Sequence, residues 1–442
     1  MYSRGMSADA KTDVLIVGRG AREHALAWKV SQSPRVGTIY VAPGNAGTET
    51  FCTNVDIVEN NIADLAKFAS TKRIGLTIVG PDEPLSLGIV DQFKRNGLRI
   101  FGPTKAAAQI ESSKSFAKKI MEEAHIPTAA YRAFADTTQA LEYVRASKLP
   151  IVVKADGLAA GKGVYICDTV ASAETAIDEI MVKKVLGEAG SCVVIEEFLS
   201  GNEISIHAMT DGVNYYLFPS SQDYKRIGEG DTGKNTGGMG AIAPVPWVTA
   251  EMMLQIENTV IKPLIQILGI KGMPFQGMLF PGIMITAQGP KVIELNARFG
   301  DPECQVYMRI LENDLLDLID QCVDGGVGTT PPRFSTVGAV NVVLTSSGYP
   351  DAYRTGYMIE GIKEAEQVEN IVLFHAGTLQ RDILQTNGGR VISVTATGSP
   401  IEKARELAYK GVEKIRFEGK YFRPDIGNKS MQISKRVWQN TL

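Results

Sequence analysis

The stretch Asp13-Val14-Leu15-Ile16-Val17-Gly18-Arg19-Gly20-Ala21-Arg22-Glu23-His24 decides how the chain begins to fold. A short apolar run ends at Gly18, and a helical pattern opens near Arg22. An apolar run bounded by glycine reads as a buried strand, and the turn behind it offers free backbone N–H groups that can hold an anion. A dinucleotide site would need a third glycine where Glu23 stands and an acidic residue at the end of the second strand. That strand, over 38–41, ends instead in Ala42-Pro43-Gly44. The turn therefore suits a single phosphate, or no ligand at all, better than a dinucleotide, and an NAD-linked oxidoreductase is disfavoured.

Moving outward, the same unit recurs. Leu76–Val79 ends at Gly80-Pro81, and Ile100–Phe101 at Gly102-Pro103. Strand, Gly/Pro turn and helix in repetition predict a parallel α/β domain with its ligand site at the strand ends. From Pro103 the pattern changes. Thr104 caps a helix expected to run through Ala124, with Ile110, Ala117 and Met121 on one face. Strands are expected over 151–153, 192–195, 204–209 and 215–218. Two long glycine-rich loops, 156–163 and 227–240, interrupt them and read as ligand lids, because ordering glycine is entropically costly. A Gly/Thr/Pro cluster over 325–332 reads as a linker. Beyond it, strands over 339–344, 372–374 and 391–395 and a helix over 401–416 predict a separate small α+β unit.

Composition excludes several classes. A formal net charge of −3 without blocks of like charge argues against broad nucleic-acid or polybasic membrane binding. Five scattered cysteines, with no Cys-x-x-Cys pair, fit a reducing compartment better than a disulfide scaffold or zinc site. No apolar run approaches transmembrane length, and residues 1–12 lack a secretory core, which reads as a short extension or an alternative start at Met6. The expected location is the cytoplasm.

Chemistry concentrates in three further stretches. Lys154 ends a strand and opens the loop 154–163, where a lysine beside flexible glycine suits triphosphate charge. This is not a Walker loop, since Gly163 follows Lys162. The decoy 228–235 has Walker spacing but puts Asn235 in place of the magnesium-binding hydroxyl, and no apolar strand runs into it. Next, Glu196–Leu199 follows a strand and can offer backbone groups to a base edge, with Glu203 able to accept from ribose hydroxyls. Alone it would read as an acidic hinge facing water. Last, strand alternation over 292–296 puts Glu294 and Asn296 on one face and Ile293 and Leu295 in the core. Those two oxygens suit magnesium, with waters and phosphates completing its shell. The four histidines show no metal spacing, and no nucleophile with its base is found.

In this order these elements resemble the ATP-grasp superfamily, and more narrowly the phosphoribosylamine–glycine ligase family, over about residues 13–427. The stretches that carry it are 22–28, 42–48, 154–164, 235–240 and 298–303, with 374–378 and 387–390 in the tail. The resemblance implies an α/β and α+β multidomain fold: an N-terminal parallel α/β (pre-ATP-grasp) domain over 12–112, a two-lobed ATP-grasp core over 113–330 with a mobile lobe at about 131–200, and a small C-terminal α+β domain over 335–432. It implies ATP-dependent joining of glycine to 5-phosphoribosylamine through glycyl phosphate, with Mg2+ or Mn2+, by a monomer or weak dimer that binds neither nucleic acid nor membrane. Another ATP-grasp carboxylate–amine ligase, a carboxylase subunit, or a nucleotide-binding module without turnover are the alternatives.

Carried onto this chain, the resemblance assigns ATP to Lys114, Lys154, Gly157, Gly161, Lys162, Gly163, Glu196, Glu197, Phe198, Leu199 and Glu203, and metal to Glu294 and Asn296. It assigns substrate to Gly18, Gly20, Pro43, Gly44, Asn45, Asp223, Arg226, Asn235, Thr236 and Gly237. Arg298, Asp301 and Lys154 stand at the reaction. Arg19, Asp82 and Leu186 depart from the family's usual residues, and the strand before Glu294, over 277–281, carries no carboxylate.

Overall fold

A computed structural model describes residues 11–159 and 161–439, with side chains through 435. Residues 1–10 of the extension expected over 1–12, and Ala160 in the glycine loop, lie outside the described residues, whereas Thr12 already belongs to the first strand.

The opening segment forms a five-stranded, all-parallel sheet ordered Thr53–Asn54, Val36–Pro43, Thr12–Gly18, Leu76–Val79, Ile100–Phe101. Val14, Leu15, Ile16 and Val17 are fully buried at its centre, as an unbroken apolar run between two layers of helix requires. The edge strand Thr53–Asn54, two residues long, escaped the sequence pattern.

The helix expected to run from Thr104 through Ala124 is two helices, Lys105–Ser112 and Lys114–Glu123. Ser113 between them is extended, with φ −140° and ψ 111°. Its hydroxyl accepts from the Phe116 N–H and donates to the Asp156 carboxylate, whose other oxygen accepts from the Ser115 N–H at 2.6 Å. The second helix thus begins as a capped end, which puts Lys114 in its first turn.

Two antiparallel sheets follow. One, ordered Tyr131–Phe134, Val193–Glu197, Ile151–Ala155, Val164–Cys167, closes over its own core. The other is built on the long strand Gly277–Thr286, which pairs with Gly289–Asn296 on one side. On its other side lie Asn202–Ser205 and Ala208–Thr210, the single strand expected over 204–209 being interrupted at Ile206 and His207. Alternation also fails at one point. A register shift opposite Ile283 makes Ile293 the extra residue, so its side chain leaves the core and faces the cleft beside Glu294.

The expected loop over 227–240 contains a hairpin, Arg226–Gly228 with Thr232–Asn235. In the C-terminal segment, Gly338–Thr345, Arg390–Gly398 and Ile371–His375 form a sheet under the helix Ile401–Lys414. That sheet is extended by Gly240–Ala243 and Gln222–Asp223 from the middle of the chain. The tail and the core are therefore sewn together by backbone hydrogen bonds.

Candidate active site

The two antiparallel sheets face each other across a cleft of about 820 Å³, and the loops of the N-terminal and C-terminal sheets close its far end. Its near wall is apolar: Val152, Val164 and Ile166 from one sheet, Met284 and Leu295 from the other. A flat aromatic ring fits such a slot, with the connector Glu197–Leu199 at its rim.

The basic groups lie deeper. Lys154 is buried, and its ammonium donates to Glu196 Oε2 at 2.9 Å and to the Ile293 carbonyl at 3.1 Å. The bulge at Ile293 is what turns that carbonyl toward the lysine. Lys114 donates to the Gly157 carbonyl at 3.1 Å. Burial holds its pKa below the ordinary lysine range, with Glu294 opposing. Lys118, one turn on, was not assigned from the sequence, although its i+4 spacing from Lys114 puts both on one helix face. It is buried, 3.3 Å from Glu196 Oε1, and its pKa is pushed down by burial to about 8. Glu196 therefore serves through its side chain, holding two lysines, which its expected contact to a base through the backbone did not foresee.

Across from the lysines stands Glu294. The Lys225 ammonium, 2.8 Å away, holds its pKa down to about 2. Lys225 also pairs with Glu203. Burial works against the Lys225 charge, but Glu203, Glu294 and Asp223 reverse it and raise its pKa well above normal. Asn296 keeps its amide oxygen at the cleft, accepting from Arg298 at 3.3 Å, while its amide N–H donates to the Phe280 carbonyl.

Arg298 pairs with buried Glu111 at 2.9 Å. Burial raises the Glu111 pKa to about 7, against the pull of Arg298. Asp301 accepts from Arg390 and from Gln305, each at 2.8 Å. Burial pushes its pKa up, but Arg390 and Arg22 bring it below the ordinary value. Arg390 also donates to the Gly237 and Asp301 carbonyls. It was missed as a site residue because 89 residues separate it from Asp301, and no local pattern reports such a pairing. Asp223, Arg226, Asn235, Thr236 and Gly237 line the same end. The Thr236 backbone meets the glycine loop: a Cβ on Gly161, whose φ is +77°, would sit 3.3 Å from the Thr236 carbonyl oxygen. Lys162 and Gly163 line the cleft, whereas Gly157 turns away, its N–H bonded to Ala189.

The first turn of the chain is placed differently from its expected role. Gly18, Gly20, Pro43, Gly44 and Asn45 stand behind the cleft, which Arg22 and Asp82 line instead. Glu23 reaches back to accept from the Gly20 N–H at 2.6 Å, so its carboxylate fills the place an anion would take. Asn45 is buried and spent on backbone: it donates to the Arg19 and His375 carbonyls and accepts from the Gly47 and Thr48 N–H groups. Gly20 alone comes near, since a Cβ there would be 3.4 Å from Asp301 Oδ2. Of the departures, Arg19 pairs with Glu59 in solvent and Leu186 packs against Gly163. The Walker-spaced lysine Lys234 is exposed and paired with Asp351, in keeping with its rejection.

Three family models match successive stretches of the chain: "Phosphoribosylglycinamide synthetase, N domain" over 12–111, its ATP-grasp (A) domain over 112–304, and its C domain over 339–429. The phosphoribosylamine–glycine ligase of Vibrio vulnificus (strain CMCP6) is 48% identical over 423 residues, 95% of this chain and 98% of the relative. That of Rhodopirellula baltica is 46% identical over 97% of this chain and 100% of its own. Among solved structures, the phosphoribosylamine–glycine ligase of Thermotoga maritima superimposes with TM-score 0.80 at 34% identity, covering 94% of this chain and 100% of that one. The biotin carboxylase domain of Hydrogenobacter thermophilus 2-oxoglutarate carboxylase shares the fold at 14% identity, with TM-score 0.75 over 93% of this chain and 91% of its own.

Proposed function

The chain belongs to the phosphoribosylglycinamide synthetase family, and from that premise we infer that it joins glycine to 5-phosphoribosylamine with ATP in purine synthesis, giving glycinamide ribonucleotide, ADP and phosphate. One observation carries the reading: Lys114, Lys154, Glu294, Arg298 and Asp301 line a single cleft together with Leu158, Ala159, Gly161, Lys162 and Gly163 of the glycine loop. In this reading the glycine carboxylate takes the γ-phosphoryl group to become glycyl phosphate. The amine of phosphoribosylamine then attacks its carbonyl and phosphate departs. Such chemistry asks the protein for positioning and charge compensation rather than for a nucleophile.

Each group has its part. Lys114 and Lys154 would hold phosphate oxygens, and the loop over 157–163 would exclude water. The apolar slot would take the adenine, with Glu203 at the ribose. Arg298 would orient the glycine carboxylate, and Arg390 would hold Asp301 beside it. The donor set fits a divalent ion. Glu294 is held ionised in the cleft and Asn296 presents a second hard oxygen, which leaves the rest of a magnesium or manganese shell to phosphates and water. Such an ion would offset phosphate charge as it shifts.

The enzyme would work in the cytoplasm, as a monomer or weak dimer. All five cysteines are free thiols, as a reducing compartment allows, and among the described residues no helix is long and apolar enough to cross a membrane. The test is ADP release with glycine, freshly made phosphoribosylamine and magnesium, each omitted in turn. ADP formation that does not depend on glycine would overturn the reading.

A further inference from the structure

The four-stranded sheet that carries Lys154 is joined to the rest of the chain at two crossings. The backbone enters it through Thr128–Ala130 and leaves it at Glu197. The crossings are laced together: the Glu197 N–H donates to the Ala130 carbonyl, and the Ala130 N–H to the Glu197 carboxylate. Lys118 stands under both. It projects from the helix Lys114–Glu123, outside the lobe, and donates to Thr128 Oγ1 at 2.8 Å and to the Ala129 carbonyl at 3.3 Å on the incoming strand. On the outgoing strand it meets Glu196 Oε1 at 3.3 Å. Thr128 in turn donates to the Val292 carbonyl at 2.7 Å, two residues before Glu294. The remaining oxygen of Glu196 holds Lys154.

A buried lysine that hydrogen-bonds two acceptors on one hinge segment and ion-pairs with a carboxylate on the other is an expensive feature to retain unless it fixes something. We propose that Lys118 is a positioning residue that ties the hinge of the lobe over 131–200 to the phosphate-holding Lys154 through their shared carboxylate, Glu196. The inference rests on the reading that Lys154 holds ATP. A carboxylate shared by two ammonium groups cannot neutralise both, so Lys154 keeps net positive charge to offer a phosphate. When Lys154 turns to that phosphate, Lys118 keeps Glu196 from being stranded as a buried unpaired charge. Lobe geometry and nucleotide affinity then depend on the same three side chains.

The test is a double-mutant cycle read as separate KM values for ATP, glycine and phosphoribosylamine. Lys118→Met keeps an unbranched apolar stem and removes the charged head. It is expected to raise the KM for ATP about tenfold to a hundredfold, the scale of one lost charged hydrogen-bonding group, with the KM for the other two substrates unchanged. Because Lys118 acts through Lys154, the pair Lys118→Met/Lys154→Ala should bind ATP no worse than Lys154→Ala alone. Glu196→Gln, which keeps both lysines and the shape, should reproduce the ATP-specific loss and serves if Lys118→Met fails to fold. An unchanged KM for ATP in the folded variants, a parallel rise in all three constants, or additive losses in the double variant would overturn the coupling. If Lys154→Ala itself binds ATP normally, the phosphate role of Lys154 falls and the coupling with it. If Lys154→Ala is impaired while Lys118→Met is silent, only the coupling falls.

Discussion

At Lys154 the ammonium reaches Glu196 and the Ile293 carbonyl and, among the described residues, hydrogen-bonds no other oxygen, which leaves its third donor direction for a ligand. Truncation to alanine removes a preorganised, buried charge partner from the cleft. Turnover should fall about 10²- to 10³-fold, measured by steady-state ADP release at saturating glycine; near-normal turnover would remove Lys154 from the reaction. Glu294 offers a second test at this scale. Lys225 holds it ionised, with a pKa of about 2, so it presents full negative charge throughout the working pH range. Glu294→Ala should move the magnesium activation curve to roughly tenfold or higher concentrations, as loss of one ligand of a sparse oxygen set implies. An unshifted titration would exclude Glu294 from the metal site. Both residues were legible in the sequence because each sits at a strand end beside a recognisable stretch. Lys118 and Arg390 were not, because their meaning lies in partners 78 and 89 residues away.

At the scale of the element, propensity describes the helical segment after Pro103 well but misplaces its division. Lys, Ala and Met favour an unbroken helix from 105 to 123, yet the backbone is extended at Ser113, which caps the second half while Asp156, just past the strand Ile151–Ala155, accepts from Ser113 and from the Ser115 N–H. Only Thr104 reads as a cap in the sequence, because the carboxylate that fixes Ser113 comes from a distant stretch. The same reasoning covers the bulge at Ile293, where strict alternation predicted a core side chain and tertiary pairing supplied a carbonyl for Lys154. It also covers the hairpin Arg226–Asn235, which glycine content had marked as loop. The long apolar strands of the first sheet were read correctly because burial on both faces leaves little for distant contacts to change. Asp156→Ala should therefore act as a lost cap. It should lower stability by about 1–2 kcal/mol in urea unfolding and weaken ATP binding as Lys114 loses its fixed first turn. Full stability with unaltered ATP affinity would mean that the break at Ser113 is held by something else.

On the scale of the whole molecule, the cleft exists only because all three segments meet. The first helix of the N-terminal segment contributes Arg22, the core contributes Arg298 and Asp301, and the tail contributes Arg390, whose guanidinium clasps both Asp301 and Gly237. The first and last segments also meet directly at His24 and His375, buried side by side with ring centroids 5.7 Å apart. The His375 backbone N–H donates to His24 Nδ1, so His24 must stay deprotonated at that nitrogen. Burial lowers the pKa of both rings, that of His375 to about 4. The consequence for pH has a definite sign. Between the ordinary histidine value of about 6.5 and about 4, the unfolded chain binds a proton that the folded His375 refuses. Its contribution to stability is complete above the ordinary value and drains away as pH falls, by about 1.4 kcal/mol per pH unit. Glu111, Asp223 and Glu303, whose pKa values burial raises, pull the wild-type curve the other way across part of this range. The informative quantity is therefore a difference in slope. His375→Gln, unfolded in urea at pH 7, 6 and 5, should lose stability with acid less steeply than wild type by close to one proton between pH 6 and 5. Parallel curves would mean that the ring takes up its proton in the folded state, and that the seam between the first and last segments tolerates a charge.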